Sequence, residues 1–100
     1  MTEEVILNNY EAIFIIKPTL DEAGCEKTQK TLAEAITNLG GKVQKEDPWG
    51  KREISHHVKK FKEGIYHRVE FAAPAEAINK LNSTYQLNTD ILRVLITKRS

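Results

Sequence analysis

The stretch YEAIFIIK, residues 10–17, decides the fold. Successive side chains of an extended chain alternate between faces, so Ala12, Phe14 and Ile16 point one way and Ile13 and Ile15 the other. Both faces are apolar. A strand of this kind is expected in the middle of a sheet, with cover on its second face as well as its first. Pro18, which has no N–H for a ladder, ends it at Lys17.

Working outward, Thr19 and Glu22 have the spacing of a capping box, and Cys25, Leu32, Ala35, Ile36 and Leu39 recur at helical intervals. A helix of about 18 residues is expected, stopped by Gly40 or Gly41 in a left-handed conformation. A second extended region starts at Lys42 and is interrupted around Asp47-Pro48-Trp49-Gly50. It continues through Ile54 and Val58 to a hairpin turn near Lys62-Glu63-Gly64. From Ile65 to Phe71 the chain alternates, with Ile65, Val69 and Phe71 on one face and Tyr66, Arg68 and Glu70 on the other. Pro74 fits the first position of a second helix, whose stripe is Ala77, Ile78, Leu81 and Tyr85. After a turn at Leu87 to Thr89, Ile91 to Lys98 reads as the last strand. Its expected core face is Leu92, Val94 and Ile96, which places Ile91, Arg93, Leu95 and Thr97 opposite.

The order is β-α-β-β-α-β. Two right-handed crossovers put both helices on one face of a four-stranded antiparallel sheet, an α+β, ferredoxin-like arrangement. At 100 residues and 40% hydrophobic content the chain is expected to form a single domain over residues 1–100, with 1–8 a loose N-terminal extension. The open face of the sheet would carry Ile13, Ile15, Tyr66, Arg68, Arg93 and Leu95. Exposed Ile, Tyr and Leu gathered on one surface tend to mark a contact site; the alternative is that a terminus of the chain folds over them.

The formal net charge is +1, too little to indicate a nucleic-acid binder by itself. It conceals an asymmetry. Residues 1–50 hold five Lys/Arg against nine Asp/Glu, whereas residues 51–100 hold ten against five. Much of the basic surplus lies in residues 51–62, KREISHHVKKFK, whose Lys51, Arg52, Lys59, Lys60 and Lys62 face one acid, Glu53. Such a cluster on a hairpin can follow a phosphate backbone, although Lys-rich strand edges also serve simply to block aggregation.

Catalysis finds no support in the sequence. His56 and His57 are adjacent on a strand and point to opposite faces, so they cannot readily grip one metal ion. Cys25 is alone and lies on a helix stripe, where a thiol is packing material. Gly40-Gly41 lacks the Lys-Ser/Thr of a phosphate-cradling loop, and no nucleophile elbow is present. The longest apolar run, Ala12 to Ile16, is too short to cross a bilayer, and the N-terminal acids do not suit a secretory signal. A cytoplasmic setting is expected, or an organellar matrix if a leader has been removed. RNA-recognition motifs share this topology, but EGIYHRVEF, residues 63–71, keeps their stacking aromatics out of register.

Several motifs occur together and in order: Tyr10-Glu11 in the first strand, Pro18 before an acidic helix start, and Gly41 after the helix. Trp49-Gly50-Lys51-Arg52, Lys60, Gly64-x-Tyr66, and Asn88 ahead of Leu92-Arg93 follow. From Asn9 to Lys98 the chain resembles the family of ribosomal protein six of the bacterial-type small subunit. The resemblance implies a non-enzymatic constituent of the small ribosomal subunit, acting in translation. It would bind the central domain of small-subunit rRNA together with ribosomal protein eighteen, with no cofactor, metal or small-molecule substrate. It also implies rRNA contacts at Tyr10, Arg52, Lys60, Arg93 and Lys98, with Tyr10 able to stack on a base. Ile13, Ile15, Tyr66, Arg68 and Leu95 would meet the partner protein. The sequence departs from the family at His56-His57, where members commonly carry an aromatic-Pro pair. The rival reading is a ferredoxin-like regulatory or dimerisation domain for a small ligand, since fold alone does not decide function.

Overall fold

The computed structural model describes residues 6–58 and 61–99, with side chains left out of the description at 55–58. Its elements run β1 (Leu7–Ile16), α1 (Glu22–Asn38), β2 (Lys42–Val58), β3 (Phe61–Pro74), α2 (Ala77–Leu87) and β4 (Ile91–Lys98). The sheet order is β2-β3-β1-β4 and every neighbouring pair is antiparallel. This is the ferredoxin-like arrangement, with β1 central as its two apolar faces require.

One face of the sheet is sealed by the helices. Ala12, Phe14 and Ile16 of β1 and Val69, Phe71 and Ala73 of β3 form one core with Leu32 and Ile36 of α1 and Ala77, Leu81 and Tyr85 of α2. Tyr85 joins the layers. Its ring meets Phe14 edge-on at 4.9 Å, and its hydroxyl donates to the Leu32 carbonyl oxygen of α1 at 2.8 Å. Burial pushes its phenol well above the usual range, as expected where a phenolate would lose its water.

The structure revises several boundaries. Helix α1 is capped by Asp21, not Thr19: the Asp21 carboxylate accepts from the Gly24 N–H at 2.7 Å. A carboxylate at this position also meets the positive end of the helix dipole. Gly40 supplies the left-handed stop at φ 86°. Leu7 and Asn8, expected in a loose extension, pair with Pro74 and Ala73. Pro74 therefore closes β3 instead of opening α2, which begins three residues later.

Gly64 does not make the hairpin turn. Pairing runs on through Arg52↔Gly64 to Val58↔Phe61, and residues 59–60 lie outside the described residues. Gly64 is needed for room instead, because a Cβ there would collide with Ile15 Cγ2 and lie 3.2 Å from Ile54 Cδ1. The interruption at Asp47–Gly50 is a register shift inside a continuous β2. Gly50 takes φ 80° there, and Trp49 is the residue left without a partner across the ladder.

Leu92 is on the opposite face from the one expected. The β1–β4 ladder shifts between Ile15 and Ile16, so that Ile15 pairs with Arg93 and Ile16 with Ile91. Leu92 is the extra residue of this bulge. Ile91 enters the main core, and Leu92 joins Ile15 and Ile54 in a second cluster, flanked by Phe61 and Tyr66, on the open face. Val94 and Ile96 keep their expected side.

Candidate nucleic-acid interface

The open face consists of three cross-strand rows. Nearest the hairpin, Gly50, Tyr66, Ile15 and Arg93 are in register. Next come Asp47, Arg68, Ile13 and Leu95, and then Lys45, Glu70, Glu11 and Thr97. The strand pairing thus brings together all five residues expected to meet a partner protein. Their exposure is uneven. Leu95 is 52% exposed and Ile15 only 7%, with Ile13, Tyr66 and Arg68 half-buried.

Arg68 is the charged centre of this face. Its guanidinium donates to Glu11 Oε2 at 2.7 Å, Asp47 Oδ2 at 3.1 Å and Glu70 Oε2 at 3.0 Å. The Glu11 hydrogen bond is the largest of the influences that raise its pKa above the ordinary value. Glu11 and Glu70 sit directly opposite each other, where two carboxylates repel. Arg68 bridges both, and Arg99 pairs with Glu70 from the end of β4. The acids of this network were not among the site residues expected from sequence. Their parity was the available signal, because Glu11 alternates with Ile13 and Ile15, and Glu70 with Arg68.

The residues expected to touch RNA do not form one patch. Tyr10 and Lys98 are in register with Phe71 on the helix side of the sheet. Arg93 is on the open face, level with Ile15, five residues along β1 and so about 17 Å away. Arg52, opposite Gly64 on the β2 edge, shares the hairpin end with Arg93. Lys60 lies outside the described residues.

Tyr10 is 6% exposed, and its ring stacks on Phe71 at 5.6 Å. It is part of the core, and its ring leaves little exposed surface on which a base could stack. Arg52, Arg93 and Lys98 are exposed. Among the described residues none of the three forms an ion pair, whereas Lys45, Lys51, Arg68 and Arg99 are all matched to carboxylates.

Two further polar groups are structural. His67 is buried on the helix side, with Nε2 3.2 Å from Glu46 Oε1 and Nδ1 without a partner among the described residues. This contact is a hydrogen bond if Nε2 carries the ring proton and donates to the carboxylate. Cys25 is half-buried, and burial, followed by the Asp21 carboxylate, pushes its thiol up, away from the reactive thiolate. Among the described residues no three His, Cys, Asp or Glu side chains are grouped to hold a metal ion, and no helix is long and apolar enough to cross a membrane.

Known proteins share both the sequence and the shape. Residues 9–98 match the family model described as ribosomal protein S6. The small ribosomal subunit protein bS6 of Clostridium acetobutylicum is 38% identical over 90 residues, covering 90% of this chain and 95% of that protein. The bS6 protein of Halalkalibacterium halodurans is 35% identical over 92 residues, covering 92% and 97%. The crystal structure of 30S ribosomal protein S6 from Thermotoga maritima superposes with a TM-score of 0.88 at 27% identity, covering 94% of this chain and 89% of that one. The fold, the sheet order and a match spanning nearly the whole chain agree: this chain belongs to the ribosomal protein S6 family, non-enzymatic structural constituents of the small ribosomal subunit.

Proposed function

We propose that the chain binds the central domain of small-subunit rRNA together with ribosomal protein eighteen, each protein supplying part of one composite RNA site, in the cytoplasmic ribosome. The observation that carries this reading is the division of its cations. Lys45, Lys51, Arg68 and Arg99 are committed to carboxylates, while Arg52, Arg93 and Lys98 form no ion pair among the described residues. An unpaired, exposed cation is suited to a phosphate, since no internal ion pair must be broken first.

The apolar part of the open face suits the partner protein. Leu95 and Ile13 adjoin the carboxylates of Glu11 and Asp47 in and beside one row, a mixture that fits an apolar segment flanked by basic side chains. The net charge of +1 supplies little general attraction to RNA, so the protein alone should bind weakly. Tyr10 contributes as a wall beneath Lys98 rather than as a stacking platform. Lys60 belongs to the same proposed RNA set.

The test is a salt series on the ternary complex with the variants Arg52→Ala, Arg93→Ala and Lys98→Ala. Each should reduce the slope of log K against log[salt] by about one. Unchanged slopes for all three would remove these cations from the RNA site.

A further inference from the structure

The register shift at Pro48/Gly50 gives the open face a feature that neither the sheet nor the core requires. It leaves Trp49 39% exposed and sets its ring nearly parallel to Tyr66, with centroids 6.3 Å apart and planes 14° from coincidence. Arg52 lies over the same indole, its guanidinium carbon 5.4 Å from the ring centroid, and its Nε donates to the Trp49 carbonyl oxygen at 3.4 Å. Beneath Tyr66 is the buried cluster of Ile15, Ile54 and Leu92. The stack therefore rests on a packed base.

A guanidinium over an aromatic face is attracted by the ring, more strongly as water is excluded. Its larger effect here is on orientation. An exposed arginine loses rotamer entropy when it grips a ligand, but Arg52 is already restrained by the ring and by its Nε contact. The two terminal nitrogens of its fork form no hydrogen bond or ion pair among the described residues. They are the atoms that bind a phosphate through two parallel hydrogen bonds. Bulges recur beside functional sites because they re-aim a side chain, and here the bulge sets the ring on which Arg52 lies.

We propose that Trp49 is a positioning residue: with Tyr66 beneath it, it holds the Arg52 guanidinium in place to bind a backbone phosphate of RNA. The proposal rests on the RNA-binding reading above and adds to it the group that orients the contact. Lysine would not replace Arg52, because an ammonium has neither the fork nor the flat face that stacks on indole.

The experiment measures RNA affinity of the full chain in complex with ribosomal protein eighteen for wild type, Trp49→Leu, Trp49→Phe, Arg52→Lys and the double variant Trp49→Leu/Arg52→Lys. It is accompanied by binary protein–protein affinities and melting curves. Trp49→Leu and Arg52→Lys should each weaken RNA binding about tenfold. The double variant should be no weaker than either single one, since the two residues act as a unit, and Trp49→Phe should recover part of the loss. Trp49 is the chain's one tryptophan, so its fluorescence should change on adding RNA to the wild-type complex.

Additive losses, or single variants that bind RNA like wild type, would overturn the positioning role. A loss confined to the binary protein–protein affinity would overturn it too, by assigning the stack to the partner protein. Failure of the wild-type complex to bind RNA is a different result, because it would remove the RNA-binding reading and this proposal with it.

Discussion

Substituting Gly64 by alanine separates a glycine that serves a turn from one that serves packing. In the structure Gly64 is buried inside β3, facing Arg52 across the ladder. A Cβ would collide with Ile15 Cγ2 and press on Ile54 Cδ1 at 3.2 Å, and both neighbours belong to the buried cluster of the open face. Inserting a methyl into such a site costs about 1–3 kcal/mol. Restricting the unfolded chain returns about 0.4–1 kcal/mol, so Gly64→Ala should destabilise by about 1–2 kcal/mol. Denaturant titration should show this as a lower midpoint at unchanged m-value, and melting should fall by roughly 4–15 °C for a domain of this size. Ile15→Ala removes the colliding methyl. In the double variant the two losses should be less than additive. Wild-type stability in Gly64→Ala would refute the close packing of Gly64 against Ile15.

Other perturbations test separate parts of the structure. Asp21→Ala should cost about 1 kcal/mol of stability by unfolding titration, while Thr19→Ala should be nearly silent; the reverse order would restore Thr19 as the cap. Tyr85 is protonated to higher pH in the folded chain than in the unfolded one. Its contribution to stability is therefore complete below the unfolded value of about 10 and is lost as pH rises above it. A spectrophotometric titration should show a tyrosine that ionises only as the chain unfolds, and complete tyrosine ionisation before unfolding would contradict the burial of Tyr85. Leu95→Asp, at a position 52% exposed, should leave melting within about 0.5 kcal/mol of wild type but weaken association with ribosomal protein eighteen. Unaltered association would move the contact off the open face.

The element order and most of the facing were legible because alternation and helical spacing are local, and burial follows them. What escaped is set by pairing between distant segments. Ile91 and Leu92 are adjacent apolar residues, and nothing in their own stretch marks the bulge that sends one to each face. Gly64 fits a turn as well as a crowded site, and nothing in its own stretch tells the two apart. Pro74 suits the end of a strand as well as the start of a helix. Tyr10 is a different case. Its parity with Ala12 and Phe14 already placed it on the core face, and the expectation of base stacking came from resemblance instead of from that parity. The Arg68 network lay within reach of the same alternation, but the stack of Arg52 on Trp49 depends on a register shift that only the folded β2–β3 ladder defines.

The central claim is a composite site in which this chain and ribosomal protein eighteen together hold rRNA. It is tested most directly by measuring binding of the purified chain to a central-domain rRNA fragment, with and without the partner, across a salt series. The account predicts weak binding alone and tight, salt-sensitive binding when the partner is present. Equal affinity with and without the partner, or no binding in either case, would contradict it.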